Sequence, residues 1–225
     1  HLRHSGRRFV NIHKQVLTTA SLLMIFAIIG SGIVGLTYEN TYERIKLNEE
    51  RVLLRKLNTI LSPSEYDNDL LVDKIVLEKD SLLGTSEPSK AYLAYKNSEP
   101  VAIVLSPVAP NGYSGPINLL VGIYHNGTIA GVRVVKHRET PGLGDSVESQ
   151  RSDWILGFDD KSLENPTSKK WKVKRDGGEF DQFTGATITP RAVVNAVHSA
   201  LLYFQEHRKE LFKQTKDGSG TVKNS

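Results

Sequence analysis

Two threonine hydroxyls near the C-terminal end carry the most chemical information in the sequence. Residues 181–189 read DQFTGATIT, in which Thr184 and Thr187 flank the small residues Gly185 and Ala186. Small residues leave the backbone and the hydroxyls open to a bulky group. The helix predicted to follow directs free N–H groups and partial positive charge at this loop, which favours a phosphate esterified to Thr187. The alternative is a threonine-rich turn that only caps the helix.

The pattern Asp-x-x-Thr-Gly-Ala-Thr resembles the flavinylation motif of the FMN-binding domain family. The resemblance implies that Thr187 carries FMN through a phosphoester bond, which a dedicated flavin transferase installs from FAD. Thr184 stands where serine is commoner in the family, and Gly185 and Ala186 match the small pair. Asp181 matches the leading acid of the motif. This residue either is recognised by the transferase or is a solvated loop carboxylate.

Two further loops resemble the same family. Residues 139–144 read ETPGLG, and the resemblance implies that this loop lies against the flavin. Its glycines permit close approach of the backbone to a flat ring, and Leu143 is able to pack on the ring face; a Pro-Gly turn with a core leucine is the alternative. Residues 112–115 (GYSG) match a third loop, whose tyrosine lies either near the ring or in the core. The candidate cofactor-binding residues in these loops are Tyr113, Glu139, Thr140, Gly142, Leu143 and Gly144.

The resemblance extends over nearly the whole chain. Residues 144–158 (GDSVESQRSDWILGF) are most similar to the G subunits of the Rnf electron-transport complexes, with the C subunits of sodium-translocating NADH:quinone reductases as the alternative. The first resemblance implies an electron carrier in a complex that couples electron flow between ferredoxin and NAD to ion translocation. Its implied partners are the A, D and E membrane subunits and the wider complex with the B and C subunits. A non-redox membrane-anchored assembly protein, whose threonine loop is only a helix cap, is the third possibility.

The start of the chain predicts a membrane anchor. Residues 16–36 contain no charged side chain, and a helix over residues 16–37 is long enough to cross a hydrocarbon layer of ~30 Å. A cleaved secretory signal is the alternative, because it also has a basic start and an apolar centre. An excess of Lys and Arg before the helix predicts a cytoplasmic N-terminus. The flavin domain would then be periplasmic, on a single-pass protein of the bacterial inner membrane.

Composition excludes several classes of site. The first 15 residues carry Arg3, Arg7, Arg8 and Lys14 and no acid, so they account for the whole formal charge of +4. The folded part is therefore neutral overall, which gives no support to nucleic-acid binding. The chain has no cysteine, and its 7 histidines show no metal-ligand spacing. A basic segment, residues 169–175, either lowers the cost of an anionic flavin or is a solvated charged face.

Patterning after the anchor predicts an α+β domain with an antiparallel sheet and flanking helices. We expect a basic head (1–15), the transmembrane helix (16–37), a juxtamembrane helix (38–61), the FMN-binding domain (62–213) and a disordered tail (214–225). Asn126-Gly127 predicts a hairpin with a two-residue type I′ turn, although Asn126-Gly127-Thr128 also matches a glycosylation acceptor. Other predicted elements are strands from Ala91 and Val101, a helix over 146–158, a strand over 169–174 and a final helix with Thr189 as N-cap and Pro190 next.

Overall fold

The first helix is long and uninterrupted. The computed structural model describes residues 5–213 and 221–222, and the chain divides into two compact units, residues 1–51 and 52–225. Helix α1 spans Ser5–Asn58 without a break, so the predicted transmembrane and juxtamembrane helices are one helix that ends three residues before the predicted boundary at residue 61.

The apolar part of α1 lies in the first unit. Within residues 13–38 an 18-residue stretch has a mean hydropathy of 2.1, and this part of the helix is long and apolar enough to span a membrane. Several of its hydroxyl side chains bond within the helix: for example, Thr18 Oγ1 donates to the Lys14 carbonyl at 2.8 Å and Ser21 Oγ donates to the Leu17 carbonyl at 2.8 Å. Hydroxyls that bond internally leave no unpaired donor in a hydrocarbon environment.

The second unit is built on a seven-stranded, mostly antiparallel sheet. The strand order is β4-β5-β3-β2-β1-β7, and β6 pairs with β5. All pairings are antiparallel except that of β1 with β7. The strands are β1 (Lys74–Leu77), β2 (Ser89–Lys96), β3 (Glu99–Leu105), β4 (Val108–Ala109), β5 (Ile117–Tyr124), β6 (Ile129–Lys136) and β7 (Thr221–Val222).

Helices cover both faces of this sheet. Because side chains alternate along a strand, Leu93 and Ile103 point to the face covered by helix α2 (Ile188–Lys213). Their neighbours Tyr92 and Val104 point to the other face, where the end of α1 contributes buried Leu57. Burial on both faces fixes the strand register, since a slip of one residue would exchange the two sets of side chains. The predicted α+β class is confirmed.

The turn between β5 and β6 differs from the prediction. The type I′ turn predicted at Asn126-Gly127 is wrong: only Gly127 has a positive φ, of 95°, and its N–H donates to the Tyr124 carbonyl at 2.8 Å. This is a three-residue connection with glycine in the last position, another common way to join antiparallel strands. Positive φ at two successive residues occurs instead between β2 and β3, at Asn97 (52°) and Ser98 (64°).

Two elements predicted between β6 and α2 are also wrong. Residues 146–158 form no α-helix but two short 3₁₀ helices, Gly144–Val147 and Asp153–Phe158. The lysine-rich stretch is not a strand but contains the 3₁₀ helices Ser168–Lys170 and Lys174–Asp176. The disordered tail predicted over 214–225 lies outside the described residues, except that the two residues of β7 pair with β1.

Candidate functional site

The predicted attachment residue lies at the start of the last helix. Thr187 is half-buried and immediately precedes α2, and the N–H of Arg191 donates to its carbonyl at 3.3 Å. The N–H groups of Ile188 and Thr189 precede this first helical bond, so they are not used within the helix. Thr187 therefore lies next to two backbone donors at the positive end of a helix of 26 residues.

A tight turn presents Thr187. The N–H of Ala186 donates to the Phe183 carbonyl at 3.2 Å, which closes a β-turn over the exposed residues Thr184 and Gly185. Gly185 has φ of 81°, a conformation that side-chain-bearing residues adopt only with strain. The glycine of the motif is thus required by the turn itself.

Glu139 joins three segments of the site. Its side chain is only 4% exposed, and its Oε2 accepts a hydrogen bond from Thr189 Oγ1 in helix α2. Its Oε1 accepts from the backbone N–H of Ser114 at 3.0 Å. The buried carboxylate thereby connects the loop of residues 139–144, the GYSG loop and the start of α2. Each bond satisfies a polar group that burial would otherwise penalise.

The loop after Glu139 folds back on itself. The carbonyl of Thr140 accepts from the N–H groups of Leu143 at 3.2 Å and Gly144 at 3.1 Å, which leaves Gly142 at the tip with φ of 77°. Gly144 permits close packing here, because a Cβ at its position would lie 2.9 Å from Thr189 Oγ1 and from the Glu139 side chain. Loop and helix can approach this closely only with glycine at the contact.

His137 supports the base of the same loop. The N–H of Glu139 donates to His137 Nδ1 at 3.0 Å, and His137 Nε2 lies 2.7 Å from Glu148 Oε1. Nδ1 acts as an acceptor, so the neutral ring carries its proton on Nε2 and donates to Glu148. His137 therefore supports the loop through these two hydrogen bonds, a role that the sequence pattern did not indicate.

The two main loops meet at the surface beside Thr187. A Cβ at Gly185 would lie 3.6 Å from Leu143 Cδ2, so the turn of residues 183–186 and the 139–144 loop lie next to each other. Three apolar or aromatic side chains around these loops are exposed: Leu143 (44%), Ile188 (45%) and Tyr113 (68%). The structure therefore brings apolar surface next to Thr187, of the kind that a flat aromatic ligand requires.

Asp181 lies at the edge of this arrangement. Its carboxylate is exposed and 2.6 Å from Lys174 Nζ, and its carbonyl accepts from Trp154 Nε1 at 2.8 Å. The Trp154 ring packs edge-on against Phe183, with centroids 5.1 Å apart. Asp181 thus contacts the supporting segments and not Glu139 or Thr189.

Sequence reasoning missed three contributors to the site. Thr189, expected as the N-cap, is the second residue of α2, and its hydroxyl bonds to Glu139. The predicted N-cap role of Thr189 is wrong, because the helix begins one residue earlier. The hydroxyl bonds instead to a side chain that lies 50 residues earlier in the chain. Trp154 and Ser114 were also missed, since their partners are 27 and 25 residues away and no local pattern indicates such contacts.

Comparison with known proteins gives two family matches. Residues 112–202 match the FMN-binding domain, and residues 11–60 match the RnfG N-terminal region. The first match contains all three loops described above.

The full-length relatives agree with these matches. The G subunit of the ion-translocating oxidoreductase complex from Pseudoalteromonas atlantica is 44% identical over 205 residues, which cover 91% of this chain and 95% of the relative. The G subunits of Vibrio cholerae and Pseudomonas aeruginosa are each 47% identical to this chain. The matched residues cover 86% and 88% of this chain, respectively, and 92% of each relative. The chain therefore belongs to the family of the G subunits of ion-translocating oxidoreductase complexes, and it contains an FMN-binding domain.

Proposed function

We propose that this chain is a membrane-anchored electron-transfer subunit that carries FMN as a phosphoester on Thr187. FMN supplies the redox chemistry when bound, and the protein supplies position, electrostatics and protection from side reactions. The observation that carries the proposal is that Thr187 lies directly before α2 and directly after a turn whose Gly185 faces Leu143 of the 139–144 loop.

The start of α2 suits a phosphodiester. A phosphate bonded to Thr187 Oγ1 would keep one negative charge, which the N–H groups of Ile188 and Thr189 and the helix dipole favour. Thr184, three residues earlier, precedes the turn glycine and has no helix start behind it. The electrostatic preference therefore selects Thr187 of the two hydroxyls.

The surface around Thr187 suits a flat ring. Exposed Leu143 and Ile188 supply apolar contact on either side of the attachment residue, and Tyr113 lies in the loop that Glu139 fixes. Thr140, Gly142 and Gly144 shape the backbone of the loop that carries Leu143. These residues orient the ring and exclude water from part of it, while its remaining surface stays open to a redox partner.

Attachment requires a second enzyme. A flavin transferase would break the pyrophosphate bond of FAD, join the FMN phosphorus to Thr187 Oγ1 and release AMP with the displaced proton. The exposed turn at Thr184 and Gly185, with Asp181 beside it, is the accessible substrate for that enzyme. A covalent bond prevents loss of the cofactor where little free FMN is present to rebind.

The cellular placement follows from the basic N-terminus. We infer that residues 16–37 cross the bacterial inner membrane with the N-terminus in the cytoplasm and the FMN-binding domain in the periplasm. In that position the domain would exchange electrons with the A, D and E membrane subunits of the complex, and act together with the B and C subunits.

The attachment is tested by mass spectrometry of the intact chain co-expressed with the transferase. The wild type should gain the mass of one FMN less one water, and denaturing gels should show flavin fluorescence. Thr187→Ala should have the bare mass and no fluorescence, while the matched control Thr184→Ala should keep the flavin. Flavin retained in Thr187→Ala, or lost only in Thr184→Ala, would contradict the assignment.

A further inference from the structure

An exposed cluster of positive charge adjoins the attachment loop. Five of the seven residues from 169 to 175 are Lys or Arg, and all five are exposed; we call residues 169–175 the basic turn. The other two, Trp171 and Val173, are buried in the core and fix the backbone between the cations. The charges are therefore presented on an ordered segment.

Two of the nearby acidic residues are paired with cations outside the basic turn. Asp176 receives two hydrogen bonds from Arg191, at 2.6 and 2.9 Å, and Glu179 lies 2.7 Å from Lys161 Nζ. Asp181 uses Lys174 of the basic turn itself. Four cations of the basic turn remain: Lys169, Lys170, Lys172 and Arg175. Within the part of the chain that the structure describes, none of these four forms an ion pair.

The basic turn is held against the attachment loop. The N–H of Lys174 donates to the Phe180 carbonyl at 2.7 Å, and the N–H of Arg175 donates to Gln182 Oε1 at 3.2 Å. The Asp176–Arg191 pair connects the end of this segment to the first turn of α2. Surplus positive charge and the attachment residue thus belong to one continuous region of the domain surface.

We propose that the basic turn is a docking surface for an acidic face of a protein redox partner, which exchanges single electrons with the flavin on Thr187. This inference rests on the proposed function. Exposed Leu143 and Ile188 provide the small apolar centre of the contact, and the cations provide one charged side of its rim. Each transfer moves one electron from the flavin to the partner's centre, or one in the reverse direction, and needs no further reactant.

Charge complementarity of this kind acts on encounter and orientation. Opposite charges accelerate association and reject wrong orientations, and salt weakens the effect because the Debye length is about 8 Å at physiological ionic strength. Outside the N-terminal head the chain has no net charge, so the positive charge of the basic turn is a local feature of this surface.

The electrostatic effect of the basic turn on electron transfer is tested with a trivalent anion. The detergent-solubilised, FMN-loaded chain is photoreduced and mixed with ferricyanide, which takes up one electron per ion. In the triple variant Lys169→Glu, Lys172→Glu, Arg175→Glu we expect the rate constant at low ionic strength to fall roughly tenfold, and the difference to shrink at high salt. The matched control reverses three exposed cations elsewhere, Lys74, Lys90 and Lys209, with the same change in net charge.

The docking itself is tested in the assembled complex. Membranes containing the basic-turn variant should keep the FMN mass on the chain but reduce NAD with ferredoxin several-fold more slowly than the control variant. Equal rates for both variants, by ferricyanide or by the complex, would overturn the proposal. Loss of binding to vesicles with about one third anionic phosphatidylglycerol, with electron transfer unchanged, would also overturn it in favour of a lipid contact. A wild-type chain without FMN mass would instead remove the proposed function.

Discussion

Thr189 Oγ1 donates a hydrogen bond to Glu139 Oε2, and both side chains are buried. The bond connects the first turn of α2 to a loop that lies 50 residues earlier in the chain. The other oxygen of the same carboxylate accepts the N–H of Ser114. One acidic side chain therefore determines how three loops are placed around Thr187.

Removal of the Glu139 carboxylate should destabilise the domain. Glu139→Ala leaves the buried Thr189 hydroxyl without an acceptor and removes the bond that holds the Ser114 N–H, so we expect a loss of about 2–3 kcal/mol in the free energy of unfolding. Glu139→Gln keeps one carbonyl oxygen and should cost about half as much. Urea unfolding followed by tryptophan fluorescence measures both, and equal stability of Glu139→Ala and the wild type would contradict the buried network.

Gly185→Ala should strain the attachment turn without a steric clash. The new Cβ would be 3.6 Å from Leu143 Cδ2, an ordinary contact, but the φ of 81° is unfavourable for alanine and should cost about 1 kcal/mol. We also expect slower flavin attachment at limiting transferase, because the turn relaxes away from this geometry. Gly157→Ala is the matched control, since its Cβ meets nothing within 4 Å and its φ is not positive. An equal effect of both substitutions on attachment rate would refute this explanation.

The contribution of Trp154 to stability should be separable into a hydrogen bond and the packing of its ring. Trp154→Phe removes the N–H that bonds to the Asp181 carbonyl but keeps an aromatic ring beside Phe183 and Phe158, so a loss of about 1 kcal/mol is expected. Trp154→Ala also removes the ring contacts and should cost about 3 kcal/mol. Denaturation midpoints give both values. If the two variants are equally stable, the ring contacts contribute nothing and the packing argument fails.

Acid should weaken the domain through His198. Its ring stacks on Trp171, with centroids 5.4 Å apart, and burial lowers the pKa of His198 below the ordinary value. As pH falls below about 6.5, the unfolded chain binds a proton that the folded chain does not, so stability decreases until the folded-state pKa is passed. His198→Phe keeps the stacking and cannot titrate. Its free energy of unfolding should therefore fall less than that of the wild type between about pH 7 and pH 5, and identical slopes would exclude His198 as the cause.

Features encoded over a few residues were predictable. The β5–β6 hairpin follows from two apolar runs on either side of a glycine turn, and α2 begins two residues before its expected first residue, Pro190. In the lysine-rich stretch, for which a strand is predicted, the structure has an alternation of buried Trp171 and Val173 with exposed cations. This alternation does not indicate a neighbouring strand, and the backbone pairs only through a single bridge between Val173 and Phe180. Burial pattern and sheet membership are separate properties.

Contacts between distant segments were not predictable in the same way. The family resemblance named the loops but not the bonds between them, since Glu139, Ser114 and Thr189 each have ordinary local alternatives as loop or cap residues. Likewise, apolar residues over 146–158 suggested a helix because a short 3₁₀ segment buries a similar set of side chains. Tertiary packing selects between such local alternatives.

The buried carboxylate at Glu139 also sets an order of events. Its hydroxyl partner belongs to the last helix of the described chain, so the three loops obtain their mutual arrangement only when that helix has docked. If Thr187 carries the cofactor as proposed, its surroundings are complete only after α2 has packed. We therefore expect folding to precede esterification.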